Sequence, residues 1–375
     1  MRSVAALLAA LLALLLPAPL AHAHAVLVSS DPVDGATLLA HGLKHIVSEL
    51  DGYSHFLTAQ ERKALREQSK DGTAGLAVHL HVAPGGGDRV LEVVGVLPGS
   101  AAEQAGLSPG DHILDVDGLE VARLLSQIEA EAKLTGEVGQ ALALRVQRGY
   151  GAKPERVDLV LGPTPSELLS AELVAVSTRD GATKKAALVQ LRGFRKGSGE
   201  AFKQRLEQLR RAAGSAGLAG VVLDLRGNPG GEVDEALVVA DLFVSEGILT
   251  RTRGRGGKIL REEHAHDADT DTDTPLVVLQ DRHTASAAEL LTAALRDNGR
   301  AKSVGERSYG KGTVQEIMGM PDGSVLKLTI ARYFSPKDAA IDGVGVAPDV
   351  ELSLTQRANA VDEALAVLGL HRARD

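Results

Sequence analysis

The chain has 375 residues, of which 44% are hydrophobic and only 2% aromatic, and it carries a formal charge of −8. That length favours more than one domain, and a core built with so few aromatics has to be mostly Leu, Val and Ala. The acidic balance argues against nucleic acid as a partner, and the lack of cysteine excludes disulfides, a thiol nucleophile and a lipid-modified cysteine.

Met1–Ala25 reads as a signal peptide. Arg2 gives a positive start, Val4–Leu16 is an unbroken apolar run, and Ala21-His22-Ala23 and Ala23-His24-Ala25 are two A-x-A cleavage sites. The run is short for a membrane span, which needs about 20 residues, and no later segment is long or apolar enough. The expectation is a soluble, exported protein, periplasmic or extracellular. Residues 26–70 look mainly helical, with a charged second half, ERKALREQSKDG.

Residues 72–162 form the next unit. Gly75-Leu76-Ala77-Val78 opens a strand, Gly85–Asp88 is a turn, and VLEVVGVLPGSAAEQAGLSPGDHILDVDG orders strand, turn, short Ala-rich helix, turn and strand. A second helix is expected over Val121–Lys133, with closing strands at Ala141–Gln147 and Arg156–Leu161. Gly162-Pro163-Thr164-Pro165 reads as a linker.

Beyond it, Ala186–Leu191 is a strand and Glu200–Ala213 an amphipathic helix. In GVVLDLRGNPGGEVDEALVVADLF a buried strand runs through Asn228-Pro229-Gly230-Gly231 into a helix over Val233–Phe243. A Gly-rich turn opening a helix offers backbone N–H groups to an anion. A nucleotide loop is not expected, since neither GxGxxG nor GxxxxGKS is present. Arg261–Thr274 is an acidic Thr/Asp run that reads as solvated loop. His264 and His266 could be taken for metal ligands, but they lack helical spacing, so no metal is expected.

The stretch with the most chemistry is Asp281–Gln315. It follows a strand candidate, Pro275–Gln280, and turns helical after Ser286, from Ala287 to Leu295. A hydroxyl there lies beside the unpaired N–H groups of a helix start, the donors a tetrahedral oxyanion needs. Lys311 sits between Gly310 and Gly312. A lysine can deprotonate a serine once burial lowers its pKa. Each residue also has a plain alternative, Ser286 as an N-cap and Lys311 as a solvated turn.

Together, HTASAAELLTAALRDNGRA and VGERSYGKGTVQ resemble the active-site region of the carboxyl-terminal processing peptidases, or tail-specific proteases. Their TASASE-like turn and FGKGxxQ motif stand 25 residues apart, as Ser286 and Lys311 do here. His283 replaces a usual Gly, and Ala288 a frequent Ser. LDGYSHFL at Leu50–Leu57 is similar to the family's LDPYSxFL and reads as packing. Residues 72–162 resemble a PDZ domain, DLRGNPGG matches the family's turn, and ARYFSPKDAAIDGVGVAPDVEL matches its C-terminal motif, with Asp338-Ala339-Ala340 replacing a Gly-containing turn. LVQLRGF puts Gln190 where the family's arginine stands, with Arg192 two places on. Ala360–Leu368 closes the chain as a helix, Asn359 before it and Gly369 after.

The resemblance implies a mixed α/β peptidase core of repeated ββα units, ClpP/crotonase-like, over 163–375. It also implies an inserted PDZ domain over 72–162 and a small N-terminal helical segment over 26–70. It implies a serine endopeptidase cutting proteins near their carboxyl termini, with Ser286 as nucleophile, Lys311 as general base and Gln315 orienting the lysine. Gly231 and Ala287 would supply the oxyanion donors, and Gly75, Leu76, Ala77 and Val78 the loop that holds a substrate's terminal carboxylate. No cofactor is implied. Partners would be proteins or peptides with accessible carboxyl termini, with a regulatory adaptor as a further candidate. The alternatives are a catalytically silent PDZ scaffold and a partner-activated regulatory protease.

Overall fold

A computed structural model describes residues 34–67, 72–82, 88–97, 99–124, 127–149, 151–163 and 168–373. The signal-peptide segment, the Gly85–Gly87 turn and Thr164-Pro165 of the linker lie outside them. Helix α1 (Gly35–Ser48) is opened by Asp34, whose carboxylate accepts the Thr37 N–H at 2.9 Å. The described part of the N-terminal segment is mainly helical, as expected, with one short strand between its two helices. Between α1 and α2 (Ala59–Glu67), the Asp51 carboxylate accepts the N–H groups of Tyr53 and Ser54, and this turn feeds strand β1 (His55–Leu57).

Residues from Gly72 to Pro163 build an antiparallel sheet of β2 (Leu76–Val82), β3 (Arg89–Val96), β4 (Asp111–Val116), β5 (Ala141–Arg148) and β6 (Glu155–Val160), in that spatial order. Helices α3 (Ala101–Gln104) and α4 (Gln127–Lys133) accompany it. Its core gathers Leu80, Leu91, Val93, Ile113, Leu144, Val146 and Leu161. The helix expected over Val121–Lys133 is shorter. Val121–Arg123 is a single 3₁₀ turn, which brings Val121 and Leu124, three apart and both buried, onto one spot.

The C-terminal portion is organised by a seven-stranded sheet. Its strands are β7 (Leu169–Thr178), β8 (Thr183–Leu191), β9 (Val221–Asp224), β12 (Leu276–Gln280), β13 (Lys302–Gly305), β16 (Val350–Glu351) and β17 (Leu370–Arg372), in the order β16-β13-β12-β9-β8-β7-β17. The five from β8 to β16 are parallel, and β7 joins β8 as an antiparallel hairpin. The central strands read as continuous apolar runs because both faces are covered. Leu223, Val278 and Leu191 pack beneath α5 (Ser198–Ala213), α6 (Val233–Asp241) and α7 (Ala287–Asp297). Val222, Val277, Leu279 and Val304 face α8 (Ala360–Val367) on the other side.

A second sheet adds β1, β15 (Val325–Phe334), β10 (Ile248–Gly254) and β11 (Ile259–His264), with β14 (Thr313–Gly319) also paired to β15. Strand β11 corrects the loop reading of Arg261–Thr274 at its start only, over Arg261–His264, and residues 265–274 are loop. The strand's charged residues lie on a sheet edge, where Glu262 pairs with Arg251 of β10 at 2.7 Å.

Leu223 is fully buried at the centre of the large sheet. Leu223→Ala is expected to cost about 2–5 kcal/mol of stability, since the packed helices cannot close the cavity. Urea unfolding of the two proteins side by side measures it.

Candidate active site

Three loops leave the carboxyl ends of the adjacent parallel strands β9, β12 and β13, the usual place for a site in an open α/β sheet. The β12 loop is braced from inside. The buried Thr284 hydroxyl donates to Leu225 O at 2.9 Å, and Asp281 accepts the N–H of Gly227 and of His283, each at 3.0 Å. The brace delivers Ser286 to the start of α7 with φ of 54° and ψ of −122°. A serine pays of order 1–3 kcal/mol for such a conformation. Ser286 is the N-cap residue of α7, as the plain alternative had it, and it forms a capping box with Glu289, whose carboxylate accepts the Ser286 N–H at 2.8 Å.

The β9 loop carries Asn228-Pro229-Gly230-Gly231. Asn228 is fully buried and ties three segments, donating to Leu191 O, accepting the Gly230 N–H on its side chain and the Ala285 N–H on its carbonyl. Gly230 has φ of 95°, and a Cβ on it would stand 2.7 Å from Ser286 Cβ and 2.9 Å from Ala287 N. Gly231 bridges Phe194 with φ of 134°, and a Cβ there would collide with Phe194 O at 1.9 Å. Glycine is thus required twice, for close approach as well as for positive φ. Neither the Gly231 N–H nor the Ala287 N–H meets an acceptor among the described residues.

The β13 loop brings in Lys311. Glu289, fully buried on the first turn of α7, accepts four hydrogen bonds. One oxygen takes the Ser308 hydroxyl at 2.5 Å and the Gly310 N–H at 2.7 Å, and the other takes the N–H groups of Ser286 and Lys311, both at 2.8 Å. Burial raises the Glu289 pKa, while these donors oppose the rise. One carboxylate therefore sets the spacing between the Ser286 and Lys311 backbones. Burial lowers the Lys311 pKa; Lys327 acts in the same sense, and Glu131 and Glu289 oppose it. A lysine so placed gives up its proton more readily than an exposed one.

Residues 185–352 match the model of peptidase family S41, and residues 92–148 match a PDZ domain. A carboxyl-terminal-processing protease of Picosynechococcus is 32% identical over 80% of this chain and 69% of its own length. A carboxy-terminal-processing protease of Bartonella bacilliformis is 28% identical over 84% of the chain and 70% of its own. The structure of a photosystem II D1 C-terminal processing protease superposes with a TM-score of 0.77 at 28% identity, covering 91% of this chain and 88% of that one. The chain belongs to the carboxyl-terminal-processing protease family of S41 serine peptidases.

Tyr53 was expected to pack and does more in this protease. The Lys311 Nζ lies over its ring, 5.2 Å from the centroid, and forms no hydrogen bond to the Ser286 hydroxyl. His79, on β2 of the PDZ domain, stacks on Tyr53 at 5.0 Å between centroids, with the planes 7° apart. The His79 Nδ1 also meets the Tyr309 hydroxyl, and the His81 ring lies 5.4 Å away. Burial chiefly, then the charges of His81 and Lys311, pushes the His79 pKa down to about 4, while Glu92 resists. His79 is neutral at neutral pH. Burial likewise raises the Tyr53 and Tyr309 hydroxyls, which keep their protons.

The remaining expected residues are placed as follows. Gln315 lies on β14 and donates to the Thr313 hydroxyl at 2.7 Å and the Thr329 hydroxyl at 3.4 Å rather than to Lys311. Gly75 has φ of 74°, and its N–H donates to the Thr73 hydroxyl at 3.0 Å. Leu76, Ala77 and Val78 open β2 and pair with β3. His283 is buried beneath the PDZ domain, where a Cβ on Gly110 would lie 3.5 Å from its Cε1. His266 faces Asp241 at 3.5 Å, and no group of three or more potential metal ligands gathers among the described residues. No helix among them is long and apolar enough to cross a membrane.

Glu289 and Tyr53 are the residues that sequence reasoning missed. Glu289 had a signal, a lone acid on the otherwise apolar face of AAELLTAAL. Glu289→Gln is expected to destabilise the protease by about 1–3 kcal/mol, because an amide NH₂ would face N–H donors in a buried site. Activity would fall with it, and denaturant unfolding together with a peptidase assay checks both.

Proposed function

We propose that this protease is an exported serine endopeptidase that cleaves proteins near their carboxyl termini, with the PDZ domain recruiting the substrate tail. Ser286 Oγ attacks the scissile carbonyl while neutral Lys311 takes its proton. The N–H groups of Gly231 and Ala287 hold the oxyanion. Lysine then passes the proton to the leaving amine, and a water hydrolyses the acyl-enzyme by the same route. Gln315 holds the strand after the lysine through Thr313 and Thr329. The observation that carries this reading is a serine at a strained helix start, beside two N–H groups without acceptors among the described residues and held in one frame with the Lys311 backbone by Glu289.

A second reading concerns regulation. The Lys311 ammonium rests on the Tyr53 ring instead of on Ser286, which favours a protease that a ligand or partner activates. One substrate offered with a free and with an amidated carboxyl terminus separates a tether from a switch. A tether raises KM on amidation, and a switch lowers kcat.

Two outcomes are expected. Ser286→Ala and Lys311→Ala each reduce cleavage of an unfolded, apolar-tailed protein by about 10⁴-fold or more, with folding intact by circular dichroism. The kcat/KM profile rises with pH through the Lys311 pKa, whose shift is downward from the 10.5 of an ordinary lysine, because only the neutral amine is a base. A profile flat from acid to alkaline pH would remove lysine from the mechanism.

A further inference from the structure

The PDZ groove lies between β2, an edge strand of its sheet, and α4. An extended peptide joins such an edge by exchanging backbone hydrogen bonds with it. On β2 the groups turned toward α4 include the Leu80 N–H and the Val78 carbonyl, and both are taken. The Gln127 side chain, at the start of α4, accepts from Leu80 N at 2.8 Å through Oε1 and donates to Val78 O at 2.7 Å through Nε2. Its Nε2 also donates to Glu131 Oε1 at 2.8 Å, which anchors the amide to its own helix. Gln127 is 8% exposed, so the amide is sealed into the groove. A primary amide presents one C=O and one N–H side by side, the pair that a bound strand would offer to this edge.

We infer that Gln127 is a built-in mimic of the substrate strand, which closes the β2 edge and has to be displaced before a carboxyl-terminal tail can pair with it. This rests on the reading that the PDZ domain binds the tail. An incoming backbone gains two hydrogen bonds with β2 only by breaking two that exist, so the groove gives little net affinity to backbone alone. Tails whose side chains bring further apolar contact pass the threshold. Others do not, and the plug acts as a filter on substrates.

The test uses the full chain with Ser286→Ala, so that nothing is cut, and a fluorescent decapeptide with an apolar, free carboxyl terminus. Its anisotropy titration is run on the Gln127 protein, on Gln127→Ala and on Gln127→Leu, the last filling the volume without any hydrogen bond. Both variants are expected to bind about five- to thirtyfold more tightly, the equivalent of one or two hydrogen bonds no longer broken. A residue with a purely structural role would move the affinity the other way, because a damaged groove binds less. Equal affinity in all three proteins would overturn the plug while leaving tail recruitment in place. Weaker binding by both variants would make Gln127 a peptide contact or a prop of the groove and overturn the plug as well. Absence of binding in all three would overturn the recruitment reading and the plug with it. Thermal unfolding of each variant separates loss of the groove from loss of the fold, and the variant that folds decides.

Discussion

The site depends on the burial of one carboxylate. Glu289 stands on the first turn of α7, and both its oxygens are saturated by donors from Ser286, Ser308, Gly310 and Lys311. Burying a charge is costly unless it is hydrogen-bonded, and a carboxylate with four donors meets that condition. Two loops from different strands thereby become one rigid piece. The carbonyl of Gly310 accepts the Gly343 N–H at 2.8 Å, and the Ser308 hydroxyl accepts the Val346 N–H at 2.7 Å. The C-terminal motif is thus drawn into the same frame, and its place in the chain, so far from Ser286, follows from what it supports.

Much of this was legible in the sequence, and for physical reasons. Val221–Leu223 and Leu276–Leu279 are unbroken apolar runs bounded by turn residues, which is how strands covered on both faces read. The Gly-rich turn and the elbow at Ser286 were visible because each needs residue types that few other structures require. What was not legible depends on long-range pairing. Strand β7 alternates exposed and half-buried positions and owes its place to the hairpin with β8. Strand β11 looks like solvated loop, because an edge strand keeps its charges outside. Tyr53 lies more than 250 positions from Lys311, and no local pattern shows an aromatic ring waiting for a distant cation.

Strand β2 of the PDZ domain is used in two directions. Val78 and Leu80 are buried toward its own core, while His79 between them faces the peptidase core and stacks on Tyr53. The alternation of a strand makes this unavoidable, since neighbouring side chains leave on opposite faces. The PDZ contact has a cluster of aromatic and imidazole rings: Tyr53, His79, His81 and Tyr309 crowd there, with His283 close to Gly110. Two of the chain's four tyrosines, Tyr53 and Tyr309, stand in this cluster.

The bracket at Glu289 grips main-chain N–H groups and leaves the side chains of Ser286 and Lys311 unconstrained by it. Moving the lysine amine from the Tyr53 ring toward the serine therefore asks for rotation about side-chain bonds and no rearrangement of the loops that carry them. Seen as kinetics, a resting and a working arrangement of this pair would differ by a local torsional step on a backbone already built. Any slow phase in the enzyme's onset would then report the parts that cover the lysine, and not the assembly of the pair itself.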